Sequence, residues 1–205
     1  MRLGIFGGTF DPVHLGHLLL AECCREACRL DEVWFVPAAA PPHKSGTPIT
    51  PGRDRAELLE FAVAGAREYR VSRVELHRAG PSYTVDTLRQ LRAERPGDEL
   101  HLLLGADSLN DLALWREPAE IADLARIVAA NRGRAAATVP GSVAQALGPA
   151  RLARIQFVEM PAIDISSREI RERVRTGRSI RWMVPRAVEA AIAERGLYRR
   201  PPVEA

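Results

Sequence analysis

Residues 7–17 combine the side-chain types needed to hold a phosphate: Gly7-Gly8-Thr9-Phe10-Asp11-Pro12-Val13-His14-Leu15-Gly16-His17. The paired glycines permit a tight exit from a strand and close approach of phosphate oxygens to backbone. His14 and His17 are three apart, so at the first turn of a helix both rings share one face. Gly16 between them leaves room for a ligand. Free backbone N–H groups and the helix dipole draw anions to such a helix start, and two histidines add donors. Two other readings stay open. The pair could be helix-capping or core histidines, or a metal pair, which wants a third ligand that this stretch does not show.

A second anion-binding pattern lies at the other end of the chain: Ile165-Ser166-Ser167-Arg168-Glu169-Ile170-Arg171. Ser166 and Glu169 have capping-box spacing for a helix start. Arg171, on that first turn, brings a guanidinium able to fork onto a triphosphate. The capping role and the anion role do not exclude each other.

Three further stretches carry candidates. The chain has 29 basic residues, and Lys44 is the only lysine among them. It sits in Pro41-Pro42-His43-Lys44, inside a Pro- and Gly-rich loop over 37–52, where a compact mobile ammonium suits a moving phosphate; a solvated loop lysine is the plain alternative. Pro81-Ser82-Tyr83-Thr84-Val85-Asp86-Thr87-Leu88 reads as a turn and a helix cap. Gly105-Ala106-Asp107 ends an apolar strand, and Trp115 follows. Trp115 is either core or a flat face for an aromatic ring to stack on.

The elements that must position these residues alternate in type. Apolar runs at about 2–6, 32–36, 71–76, 100–104, 126–130 and 155–158 predict strands. Helices are predicted near 15–29, 54–67, 85–94, 118–124, 143–147, 167–175 and 186–194. Near-continuous apolar strands alternating with amphipathic helices predict an α/β, doubly wound parallel sheet with helices on both faces and a helical C-terminal part. Ligands of such sheets sit at the C-terminal strand ends, near the switch in strand order. That puts Gly7-Gly8, the 37–52 loop and Gly105–Asp107 at one edge. Neither GxGxxG nor GxxxxGK[ST] is present, so phosphate is handled by other means.

The first stretch resembles the GxFDPxHxGH signature of the nucleotidylyltransferase superfamily, and the match is complete; 165–171 resembles its ISSxxIR signature. Such enzymes pass an adenylyl or cytidylyl group from ATP or CTP to a phosphate-bearing acceptor, on a Rossmann-like sheet. With PPHK, SYTVDTL, GADSL, Trp115, Val184-Pro185-Arg186-Ala187-Val188 and Gly196-Leu197-Tyr198, the chain resembles the bacterial nicotinate mononucleotide adenylyltransferase family over almost its whole length. The resemblance implies adenylyl transfer from ATP, accompanied by Mg²⁺ carried mainly by ATP and water, to nicotinate mononucleotide. It implies that His14, His17, Lys44 and Arg171 serve catalysis. ATP would meet Gly7, Gly8, Thr9, Phe10, His14, His17, Gly105, Asp107, Ser166, Ser167 and Arg171. The acceptor would meet Lys44, Thr84 and Trp115. Two places depart from the family pattern: Arg116 where an aromatic is common, and Asn131-Arg132-Gly133 where Arg-Pro-Gly is common. Competing readings are pantetheine-phosphate adenylyltransferase, a cytidylyltransferase, and a non-catalytic nucleotide sensor on the same fold.

Composition narrows the field further. The 205 residues are 46% hydrophobic and carry a net charge of +3. Arginines are interleaved with acids, as in Arg168-Glu169 and Arg171-Glu172-Arg173, which describes a solvated helix face rather than a nucleic-acid surface. No apolar run approaches the roughly 20 residues of a membrane span, and Met1–Phe6 is too short for a signal peptide. Cys23, Cys24 and Cys28 share one predicted helix without metal or disulfide spacing, so small buried side chains and a cytoplasmic setting are expected. One domain is expected over 1–198, with a disordered tail at 199–205. A homodimer is compatible with all of this.

Overall fold

The computed structural model describes residues 1–41, 48–133 and 138–199. Its centre is a six-stranded sheet: β1 (Arg2–Gly8), β2 (Glu32–Pro37), β3 (Tyr69–Val71), β4 (Glu99–Gly105), β5 (Arg126–Arg132) and β6 (Gln156–Met160). The spatial order is β3-β2-β1-β4-β5-β6, and all neighbours are parallel. Chain order reverses beside β1, the switch point at which doubly wound sheets open a crevice past their carboxyl ends. The helices are α1 (Leu15–Cys28), α2 (Gly52–Val63), α3 (Thr84–Glu94), α4 (Ala106–Asn110), α5 (Pro118–Leu124), α6 (Gly141–Leu152), α7 (Ser167–Arg175) and α8 (Arg186–Glu194).

The strands are apolar almost without alternation because both faces are covered. Leu3, Ile5, Leu100, Leu102, Leu104, Ile127 and Ala129 pack on one face with Leu88, Ile121 and Leu147 of α3, α5 and α6. Phe6, Val33, Phe35, Leu103, Val128 and Val158 pack on the other with Leu20, Leu58, Ile170 and Val188 of α1, α2, α7 and α8. The helical C-terminal part is thus the cover of the second face. No helix among the described residues is long and apolar enough to cross a membrane.

Several elements differ from the expectations. The strand predicted over 71–76 occupies Tyr69–Val71 only. The Ser72 N–H donates to the Phe35 carbonyl at 2.9 Å, and the chain then turns, carrying Glu75 to α3, where Thr87 Oγ1 donates to its Oε1 at 2.6 Å. Helix α2 stops at Val63 instead of Arg67, and Gly65 follows with φ +87°. Helix α6 is longer than predicted and is kinked at Gly148, which has φ 72°. The short α4 and a 3-10 turn at Leu112–Leu114 were not foreseen. Apart from Arg199, the expected tail lies outside the described residues.

Candidate active site

A cleft of about 590 Å³ opens at the switch point, past the carboxyl ends of β1 and β4. Gly7, Gly8, Thr9, Phe10 and His17 line one side, and Ser82, Thr84, Trp115 and Arg116 another. Gly105, Asp107 and Ser167 complete it, over a floor of Leu20, Leu102 and Leu104. Residues from both ends of the chain and from its middle therefore meet at one hollow. Lys44, with Pro42 and His43, lies outside the described residues. A second hollow, lined by Gly133, Glu159 and Met160, opens at the ends of β5 and β6.

His14 is the N-cap of α1, with extended backbone at φ −146°, and forms a capping box with His17. His17 Nδ1 accepts from the His14 backbone N–H at 3.2 Å. In the neutral ring the proton then sits on Nε2, and His17 is one of the residues lining the cleft. The two rings stack with centroids 3.6 Å apart and planes 26° apart. The capping role expected as an alternative is therefore present, and it orients a donor. His14 itself is 4% exposed and lies behind His17 rather than on the cleft wall. The space at Gly16 serves that ring: a Cβ there would stand 3.1 Å from His14 Nδ1. Likewise a Cβ on Gly8 would come within 2.8 Å of the Phe10 ring, so this glycine seats an aromatic, while Gly7 faces open space.

The signature loop is held from below. Asp11 is 4% exposed. Its Oδ1 accepts from Tyr198 Oη at 2.8 Å and its Oδ2 from the Thr50 N–H at 3.3 Å. Burial pushes the Tyr198 phenol well up, reinforced by the Asp11 charge. Arg171 Nη1 donates to the Asp11 carbonyl at 2.6 Å, and Ser167 Oγ donates to the Pro12 carbonyl at 2.8 Å. Ser166 caps α7, its Oγ accepting from the Glu169 N–H at 3.1 Å. The two sequence motifs are thus stitched to each other through backbone carbonyls.

Arg55, buried at 1% exposure, spans the same layer. Its Nε donates to the Thr50 carbonyl at 2.7 Å, Nη1 to Thr9 and Nη2 to Ala38, each at 2.6 Å. Burial lowers its pKa, and the nearby Asp11 charge opposes that.

On the opposite wall, Ser82 Oγ accepts from the Ala39 and Ala40 N–H groups at 2.9 and 3.2 Å, which joins the entry of α3 to the exit of β2. Thr84 opens α3, and Trp115 is half-buried after the 3-10 turn. Arg116 lies over the Tyr83 ring at 4.9 Å and pairs with Glu117 at 3.2 Å and Asp86 at 3.7 Å. Its charge is already faced by two carboxylates. Burial raises the Glu75 carboxyl above its ordinary value.

The cytidylyltransferase-like family model matches residues 5–173, a span running from β1 through most of α7. The chain belongs to that family. Within the cytidylyltransferase-like family it groups with proteins named "Probable nicotinate-nucleotide adenylyltransferase". The one from Thermomicrobium roseum is 47% identical over 97% of this chain and 92% of its own length. One from Thermus thermophilus is 47% identical over 97% of this chain and 100% of its own length. Among solved structures, Plasmodium falciparum nicotinic acid mononucleotide adenylyltransferase complexed with NaAD superposes with a TM-score of 0.78 at 19% identity, covering 96% of this chain and 97% of that one. At that identity the likeness speaks for the fold.

In this cytidylyltransferase-like protein, Gly7, Gly8, Thr9, Phe10, His17, Thr84, Gly105, Asp107, Trp115 and Ser167 line the cleft; His14 stacks on His17, Ser166 caps α7 and Arg171 bonds the Asp11 carbonyl, and these three are not among its lining. Sequence reasoning missed Arg55, Ser82, Asp11 and Tyr198 as supports. Only Asp11 left a signal: an acid inside a loop expected to hold an anion needs protein donors of its own, and it has them in Tyr198 and Thr50. Among the described residues no cluster of three or more His, Cys, Asp or Glu is placed to hold a metal ion. The cysteines are free thiols; burial pushes Cys24 up to about 12 and Cys28 upward too, which leaves both inert at neutral pH.

Proposed function

We propose that this chain transfers the adenylyl group of ATP to the phosphate of nicotinate mononucleotide, giving nicotinate adenine dinucleotide and pyrophosphate. The observation that carries the reading is the junction, in one cleft, of a glycine–histidine wall suited to phosphate with a Thr84–Trp115 wall suited to a flat ring. The names of the relatives at 47% identity support the same acceptor.

An acceptor phosphate oxygen attacks the α-phosphorus in line, a new P–O bond forms, and the bond to the β-phosphate oxygen breaks. Both partners are anions, so positioning and charge neutralisation do the catalysis and no side chain becomes covalently attached. His17 donates from Nε2 to the α-phosphate, with His14 stacked beside it. The backbone of Gly7–Phe10 and the starts of α1 and α7 hold phosphate oxygens. Arg171 has one donor committed to Asp11 and its remaining donors serve pyrophosphate; Lys44 joins it between pyrophosphate and acceptor. Gly105 and Asp107 border the nucleotide. Trp115 offers a stacking face to the nicotinate ring, and Thr84 meets its carboxylate.

Mg²⁺ enters with ATP as part of the substrate, where it neutralises charge on the phosphate oxygens. Of the cleft carboxylates, Asp11 and Glu75 are already bonded to protein groups, and Asp107 is a single further carboxylate, which fits a cation carried mainly by ATP and water. Free thiols support a cytoplasmic setting.

Mass spectrometry of a reaction with Mg²⁺, ATP and nicotinate mononucleotide tests the reading. Nicotinate adenine dinucleotide and pyrophosphate in equal amounts are expected. Absence of the dinucleotide, with the folded protein present, overturns it.

A further inference from the structure

Arg55 presents a puzzle of cost. A guanidinium with 1% exposure donates to no carboxylate among the described residues; its hydrogen bonds go to backbone carbonyls of Thr9, Ala38 and Thr50. The Asp11 charge lies near but is not bonded to it, and burying a charge without a bonded counter-ion is expensive; an apolar side chain would fill the same space at less cost. What an apolar side chain could not do is hold three separate segments with one planar fork. Those segments are the signature loop, the exit of β2 and the approach to α2.

The bond to Thr9 has a directional consequence. In a trans peptide the C=O and the following N–H point to opposite sides. The Thr9 carbonyl faces the buried guanidinium, so the Phe10 N–H faces away from it, and both residues of this peptide line the cleft. Phe10 holds φ 49°, a left-handed conformation disfavoured for a residue with a Cβ. Reversing the Thr9–Phe10 peptide changes that same φ and would relieve it. Arg55 grips the one carbonyl that such a reversal would move.

We propose that Arg55 is a positioning residue: it locks the Thr9–Phe10 peptide so that the Phe10 N–H stands in the cleft as a phosphate donor. This rests on the adenylyl-transfer reading above and assigns the donor's orientation to a side chain that touches no substrate.

The test separates the two substrates. Arg55→Lys keeps the charge but loses the fork. Binding of Mg·ATP and of nicotinate mononucleotide is measured separately by calorimetry, below the melting temperature. Loss of one hydrogen bond to a charged group predicts ATP affinity weaker by about 10- to 100-fold, with the acceptor's within about twofold. Leu58→Ala, a fully buried core change on the same helix, is expected to lower the melting temperature and leave both affinities alone. If Arg55→Lys melts lower but keeps ATP affinity, or weakens both ligands equally, the inference fails. If the wild type does not adenylylate nicotinate mononucleotide, the functional reading fails instead.

A measurement on the wild type covers the case in which the variant does not fold. The chain has five phenylalanines, so ¹⁵N-Phe labelling yields five amide signals. Adding pyrophosphate is expected to move the Phe10 amide downfield, as a new hydrogen bond requires. An unmoved Phe10 signal under saturating pyrophosphate overturns the proposal.

Discussion

On the reading proposed above, His17 has two tasks for two different nitrogens, and substitution can separate them. Nδ1 accepts the His14 N–H at 3.2 Å and caps α1; Nε2 is the donor assigned to the α-phosphate. The ring also packs edge-on to Phe10 at 5.0 Å and stacks on His14 at 3.6 Å. His17→Ala removes all of this. Loss of the cap is worth about 1 kcal/mol and loss of the aromatic contacts about another. A total of about 2 kcal/mol lowers the melting temperature by about 4–8 °C in a chain of this size. Losing the donor lowers kcat by about 10²–10³-fold. His17→Asn places an oxygen near the Nδ1 position, so it restores most of the melting temperature and none of the activity. His17→Gln places a side-chain nitrogen near Nε2, so it restores part of kcat and little of the melting temperature. Pyrophosphate release and thermal melts on the three variants decide the matter. An Asn variant as active as the Gln variant, or an Ala variant with near-wild-type kcat, refutes the assignment.

Other substitutions follow from the same geometry. Trp115→Ala is expected to raise KM for nicotinate mononucleotide by about tenfold or more, the scale of a lost stacking face, with KM for ATP unchanged in initial-rate assays. Tyr198→Phe deletes the 2.8 Å bond to Asp11; at about 1 kcal/mol it lowers the melting temperature by about 2–4 °C, read by calorimetry. His101 is 3% exposed on β4, and burial holds its pKa below the ordinary 6.5. Its folded form binds fewer protons than its unfolded form, so it contributes stability above pH 6.5 that is lost as pH falls through the depressed value. His101→Leu is therefore expected to flatten the decline of melting temperature below pH 6.5 in a series of buffers; an unchanged slope contradicts the burial effect.

The parts of this molecule that announce themselves in sequence are those governed by local rules. Ser166 and Glu169 show a cap because capping spacing is local, and β1, β4 and α7 show because apolar runs and helix starts are local. Strand β3 lies earlier than its composition suggests: Val71–Leu76 has a strand's composition, whereas its partner β2 offers ladder contacts only as far as Ser72. Helix α4 is five residues long, too short for any period to emerge. Arg55 stayed hidden because Arg53-Asp54-Arg55 reads as a solvated first turn. Its three acceptors lie 5, 17 and 46 residues away, and only the folded chain brings them together. The same holds for Tyr198, which reaches Asp11 across 187 residues. The signature loop was thus legible, and the layer that holds it in shape was not.

The most direct test of the whole account is acceptor choice. Pyrophosphate release with Mg²⁺ and ATP is measured for nicotinate mononucleotide, nicotinamide mononucleotide and phosphopantetheine side by side. A strong preference for nicotinate mononucleotide is the predicted result. Release with phosphopantetheine alone, or with none of the three, would contradict the acceptor wall assigned to Thr84 and Trp115.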